Sequence, residues 1–210
     1  MNNPNALRIV EILEDLYPDA LCGLNYEVPW QLLFATRLAA QCTDERVNKV
    51  TPFLFAKYPT LEDFAAAEQT DVEEIIHSCG FYHGKARDLI GSANMLLSDF
   101  RGIVPDTMEQ LLRLPGIGRK TANIILGDVY DKPAVVTDTH CIRLAGRIGL
   151  TVNSEPYKVE LDLAAIIPPE KQSDFCHRLV LHGRAVCNAR KPKCAECAVL
   201  PYCAYNAASH

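Results

Sequence analysis

The stretch Leu114-Pro115-Gly116-Ile117-Gly118-Arg119-Lys120-Thr121-Ala122 decides how the rest of the chain is read. Two closely spaced glycines lie between apolar segments at 106–113 and 118–130, a pattern that predicts two helices joined by a tight turn. It is not a nucleotide loop. The phosphate-loop pattern fails because Arg119 separates Gly118 from Lys120, and the dinucleotide fingerprint fails because Thr121 stands where its third glycine belongs. Gly116 and Gly118 let backbone approach a ligand closely. The second helix then begins with amides that have no partner inside it, which suits a phosphate oxygen bound without regard to sequence. Lys120 falls in that first turn, where the positive helix end and Arg119 favour a neutral, nucleophilic amine, the route by which lysines become Schiff-base formers.

Downstream, Asp138 in Val135-Val136-Thr137-Asp138-Thr139-His140 precedes an apolar-periodic stretch from Cys141 to Leu150 and is a natural N-cap. Elsewhere apolar residues recur at helical spacing, as in Leu7, Val10, Leu13 and Leu16, or Trp30, Leu33, Phe34, Arg37 and Leu38. Prolines and glycines separate these runs, strand signals are almost absent, and no repeat or low-complexity tract interrupts them. The expectation is an all-α protein.

With 210 residues, 49% of them hydrophobic, the chain can bury one sizeable core or two small ones. No run approaches the roughly 18 apolar residues that span a bilayer, and the first residues lack the basic-then-apolar order of an export signal. The cytosol is the expected compartment. The net charge of −5 taken alone speaks against a nucleic-acid partner. By segment, however, it divides into +5 over 175–195 and +3 over 111–127, leaving −13 for everything else, with six acids and no Lys or Arg over 59–76. The hairpin and the tail are the two basic regions of an acidic protein.

Nine cysteines, an odd number without a secretion signal, favour free thiols or metal ligands over a disulfide framework. Cys187, Cys194, Cys197 and Cys203 form a C-x6-C-x2-C-x5-C array too dense for core packing. Both Zn2+ and an iron-sulfur cluster accept four thiolates, but structural zinc favours two C-x2-4-C pairs and only one C-x2-C pair is present, so the spacing favours iron-sulfur. Between the first two ligands Arg190, Lys191 and Lys193 would form a cationic loop. Cys22, Cys42, Cys79, Cys141 and Cys176 lie singly on apolar faces and are expected in the core.

Lys120 in the glycine turn, Asp138 eighteen residues on, Leu181-His182-Gly183-Arg184 and the four-cysteine tail occur in the order found in one family. The chain closely resembles the endonuclease III family, bifunctional DNA glycosylases and abasic-site lyases, from Leu38–Gln41 through Gly80–Ala86 to the last cysteine. The resemblance implies a bilobal helix-hairpin-helix glycosylase fold: a six-helix barrel at 22–133 with the hairpin at about 106–130, and an iron-sulfur domain from 1–21 plus 134–210 with its cluster loop at 187–203. It implies excision of oxidised pyrimidines through a Lys120 Schiff base, aided by Asp138, and strand cleavage 3′ to the abasic site by β-elimination. It also implies a [4Fe-4S] cluster on the four tail cysteines. DNA contacts would come from Gln41 filling the vacated stack, Phe81 as a wedge, Gly116, Gly118, Arg119, Arg190, Lys191 and Lys193. The partner would be damaged double-stranded DNA, bound by a monomer at the nucleoid, with no membrane. Phe81 replaces a common Leu, and Thr137 and His83 also depart from the usual pattern. An adenine-mismatch glycosylase of this fold would lack the lysine, and a mere binding module would need neither Lys120 nor Asp138.

Overall fold

Every regular element among residues 5–207, the part described by the computed structural model, is helical. In chain order the α-helices are α1 (Ala6–Leu16), α2 (Pro29–Leu38), α3 (Asp44–Lys57), α4 (Leu61–Ala65), α5 (Gln69–Ile76), α6 (Tyr82–Phe100), α7 (Met108–Leu111), α8 (Arg119–Asp128), α9 (Thr139–Ile148), α10 (Pro156–Ile166), α11 (Gln172–Ala185) and α12 (Ala204–Ala207). The chain divides into two units, Cys22–Tyr130 and Met1–Leu21 with Asp131–His210.

In the unit Cys22–Tyr130, α2 is buried almost all round, from Gln31 to Thr36 and at Leu38, and so occupies the centre. Trp30, Phe34, Phe55 and Phe64 surround its start with edge-to-face ring contacts 5.0 to 6.5 Å apart. Short flanking helices start on side-chain caps: Thr43 accepts from the Arg46 amide, and Thr60 and Asp63 form a reciprocal capping box. The longest helix, α6, packs Ala86, Leu89, Ala93 and Leu96 into the core.

Three polar residues of α6, Lys85, Asp88 and Ser92, are also buried, and their spacing puts them on one face. Asp88 accepts from Arg37 of α2, at 2.9 Å from Nε and 2.6 Å from Nη2. Ser92 Oγ donates to the Pro115 carbonyl at 3.1 Å. The glycine turn therefore lies directly on an ion pair. Gly116 has φ +70, and a Cβ there would meet Asp88 Oδ2 at 2.3 Å and Arg37 Nε at 2.4 Å. Glycine is required by both backbone and space. Gly118 is different: its φ of −100 is ordinary and nothing lies within 4 Å of a Cβ built on it.

In the other unit, α11 packs against both α1 and α9, and α9 also meets α10 and α12. Gly183 makes the α9–α11 approach possible, since a Cβ there would come within 2.7 Å of His140 Nδ1 and 2.9 Å of Arg143 Nη2.

Several expectations shift. The hairpin helices are shorter than 106–113 and 118–130, because Thr107 caps Met108–Leu111 and Gly118 precedes Arg119–Asp128. The buried stripe of α1 is Ala6, Ile9, Val10 and Leu13, while Leu7 and Leu16 are exposed, an offset that still satisfies helical period. Cys79, Cys141 and Cys176 are buried as expected, but Cys22 and Cys42 are only half-buried. The basic segments lose members: Arg178 is buried beside Asp174 and Glu14 and donates to the Tyr17 carbonyl, and Arg113 pairs with Asp99 at 2.6 Å. Neither is a free surface cation.

Gly116→Ala is expected to displace the Arg37–Asp88 pair and cost about 3 kcal/mol or more in urea unfolding, from left-handed strain plus a broken, largely buried ion pair. Gly118→Ala, a helix-start change without steric conflict, should cost less than about 1 kcal/mol. Equal losses would mean that the turn is not held by this contact.

Candidate functional site

Gly118 is an extended, exposed residue at the start of α8 and provides no side-chain cap. The first amides of α8 consequently lack the oxygen acceptor that Thr43, Thr60 and Asp138 supply elsewhere. Lys120, the second residue of the helix, is exposed, and Arg119 beside it is half-buried. A cationic helix start whose first amides have no side-chain cap is suited to binding an anion.

Gln41 and Phe81, far apart in sequence, line one pocket with Arg37, Tyr82, His83 and Lys85. Both have left-handed backbones without being glycine, at φ 55 and φ 49. For a bulky residue such as Phe81 this is a strained conformation, held only where the surroundings over-determine it. The residue is 71% exposed. A rigid, solvent-facing aromatic beside a strained polar residue is suited to entering a base stack. His83 pairs with Glu73 at 2.6 Å on the rim of the same pocket, and the Glu73 carboxyl is held below its ordinary range by Gln69 and then by His83.

Asp138 is the N-cap of α9, its Oδ1 accepting from the Cys141 amide at 2.7 Å, and it is half-buried. Lys120 belongs to the unit Cys22–Tyr130, and Asp138 to the unit that includes Asp131–His210.

All four tail cysteines line one pocket, and none is joined in a disulfide. Among the described residues no group of three His, Cys, Asp or Glu side chains is arranged to hold a single metal ion. Nitrogen donors face the sulfurs. Arg147 Nη1 donates to Cys187 Sγ at 3.4 Å while the same guanidinium holds the Asn188 and Ala189 carbonyls. His182 Nε2 lies 3.3 Å from Cys197 Sγ, with Nδ1 3.2 Å from the Tyr17 hydroxyl. If that hydroxyl donates to Nδ1, the ring proton sits on Nε2, facing sulfur. Burial lowers the His182 pKa, keeping the ring neutral. Burial also raises the Cys197 thiol, offset in part by the Val199 amide and reinforced by the other three cysteines. Such a crowd of sulfurs suits a cationic centre that would draw them into the thiolate form.

Arg190, Lys191 and Lys193 are exposed on the loop between the first two cysteines. Arg143 ties that loop to α9 by donating to the Cys187 and Gly183 carbonyls and contacting His140. Sequence reasoning missed four supporting residues: Asp88, Lys85, Arg143 and Arg147. Only Arg37 left a signal, as a charge within the apolar periodicity of α2.

Residues 34–169 match the family model described as HhH-GPD superfamily base excision DNA repair protein. Endonuclease III of Synechocystis sp. is 48% identical over 94% of this chain and 91% of the relative. Endonuclease III of Escherichia coli is 37% identical over 98% of this chain and 97% of the relative. A solved structure of a trapped endonuclease III–DNA covalent intermediate superposes with a TM-score of 0.93 and 37% identity, covering 100% of this chain and 99% of that one. The chain belongs to the endonuclease III family, the helix-hairpin-helix DNA glycosylases with abasic-site lyase activity that act in base excision repair.

Proposed function

We propose that this chain excises oxidised pyrimidines from duplex DNA and cleaves the strand 3′ to the abasic site, with Lys120 as nucleophile and Asp138 as the carboxylate that serves it. One observation carries the reading: in a base excision repair family member, an exposed lysine sits one residue into a helix whose first amides have no side-chain cap. The amine can attack a sugar while the amides hold a neighbouring phosphate.

Extrusion comes first, since C1′ is inaccessible inside the base stack. Phe81 enters the stack as a wedge and Gln41 fills the vacated space. Asp138 takes a proton from Lys120, whose Nζ attacks C1′. The bond from C1′ to the base nitrogen breaks, and the base leaves with the electron pair and gains a proton. The sugar ring opens to a protonated Schiff base, which acidifies C2′. Loss of a C2′ proton then expels the 3′ phosphate oxygen, and water releases Lys120. The Cys141 amide fixes the Asp138 carboxylate at the start of α9, and its charge offsets positive charge on the sugar. Backbone at Gly116 and Gly118, with Arg119, Arg190, Lys191 and Lys193, supplies phosphate contacts that position the duplex without reading sequence. No described helix is long and apolar enough to cross a membrane, and the protein acts as a monomer on damaged DNA at the nucleoid.

Cys187, Cys194, Cys197 and Cys203 hold a [4Fe-4S] cluster in this reading. The four cysteines line one pocket, their single C-x2-C pair is not the two-pair pattern of structural zinc, and N–H groups of Arg147 and His182 favour anionic sulfur. When bound, the cluster supplies four cross-links that fix loop 187–203, and with it the three exposed cations.

Borohydride is expected to trap wild-type protein on abasic DNA, and Lys120→Gln to abolish the adduct; an undiminished adduct would remove Lys120 from its role. Asp138→Asn retains a cap acceptor but not the charge, so turnover should fall by about a hundredfold or more with melting temperature and DNA affinity nearly unchanged. A parallel fall in melting temperature would make capping its main contribution. Purified protein should be brown, with about four iron and four sulfide per chain; a colourless protein with stoichiometric zinc would overturn the cluster assignment.

A further inference from the structure

Lys85 is fully buried, yet it is a lysine. Its ammonium donates to the Leu38 carbonyl at 2.8 Å and to the Cys79 carbonyl at 2.9 Å. Leu38 is the last residue of α2, and Cys79 ends the 3-10 turn His77–Cys79. Carbonyls at helix ends have no acceptor role left within the helix, and a cation is the favoured partner there. Both segments continue at once into a strained residue: Gln41 follows Leu38 by three positions, and Phe81 follows Cys79 by two. The two strained residues share a pocket that Lys85 also lines. One ammonium thus bridges the roots of two loops that have no backbone hydrogen bond to each other among those recorded for the described residues. Burial disfavours the charged lysine, with Cys42 and Cys79 opposing that effect, so the site is kept at a cost that structure alone could avoid with an apolar side chain.

We propose that Lys85 is a positioning residue for nucleotide extrusion, its ammonium setting the spacing between the Gln41 and Phe81 loops. The proposal rests on the wedge and space-filling roles given above to those two residues. Extrusion demands that a ring enter the stack and an amide follow into the gap in register, and register requires a fixed distance between their backbones. Lys85 provides that link from beneath, without touching DNA. It shares a face of α6 with Asp88 and Ser92, so the same helix sets the hairpin and the extrusion loops together.

The test uses duplex DNA with 2-aminopurine opposite a lesion, whose fluorescence rises when stacking is lost, alongside affinity for undamaged duplex and borohydride trapping on a preformed abasic site. Lys85→Met is expected to slow the fluorescence rise by about tenfold or more, reflecting two lost charge-assisted hydrogen bonds. Affinity for undamaged duplex should change by less than about twofold, and the final yield of trapped adduct should be retained. An unchanged fluorescence rate, or losses of equal size in all three measurements, would overturn the proposal. If Lys85→Met does not give a cooperative melt, Lys85→Gln carries the same comparison, since its amide is too short to bridge both carbonyls. Phe81→Ala serves as the control for the underlying reading: wild-type extrusion in that variant would refute the wedge itself, whereas slowed extrusion there with a normal rate in the Lys85 variant refutes only the role of Lys85.

Discussion

The Arg37–Asp88 ion pair under Gly116 is the constraint on which the unit Cys22–Tyr130 depends. It joins the central helix to the longest one, and its two side chains form the floor on which the glycine turn rests. A largely buried pair of this kind contributes little stability over an apolar alternative, but it is intolerant of losing a partner or of being pushed apart. Its value here is directional. Asp88 fixes α6 against α2, Ser92 donates to the carbonyl of Pro115, and Lys85 reaches the last carbonyl of α2 and that of Cys79. One helical face thus sets the start of α8, with Lys120, in fixed relation to Gln41 and Phe81.

The second unit uses comparable economy around α9. Asp138 begins that helix, and Arg143 and Arg147 farther along it hold the carbonyls of Cys187, Asn188 and Ala189. Gly183 allows α11 to come close enough for Arg143 to reach across. The basic loop and the carboxylate are therefore anchored on a single helix. The proposed cluster would stiffen one end of an arrangement whose other end carries the carboxylate proposed to serve Lys120.

Much of this was legible in sequence because the informative residues are local: a glycine turn, a cap before a periodic run, four closely spaced cysteines. Helical period alone showed that α1 is a helix but not which face it buries, since residues 7, 10, 13 and 16 fit the period as well as 6, 9, 10 and 13, and only packing on α11 selects between them. Segment charge overstated the basic tail because it could not see that Arg178 is folded inward onto Asp174, Glu14 and a carbonyl of Tyr17. Lys85 was invisible for a related reason: in a linear sequence a buried lysine beside Gly84 and Ala86 reads as an ordinary solvated charge. Long-range partners decide such cases, and no periodicity encodes them.

Phe81 carries a consequence of a different kind. A phenylalanine 71% exposed at a rigid helix start is apolar surface that the folded protein leaves in water. In the wedge role proposed for Phe81, entry into a base stack removes that surface, and such removal lowers heat capacity. The enthalpy of engaging a lesion then becomes temperature dependent through this residue, and more so for a phenyl ring than for a smaller aliphatic side chain at the same position. The identity of the wedge therefore bears on the temperature range over which extrusion stays favourable.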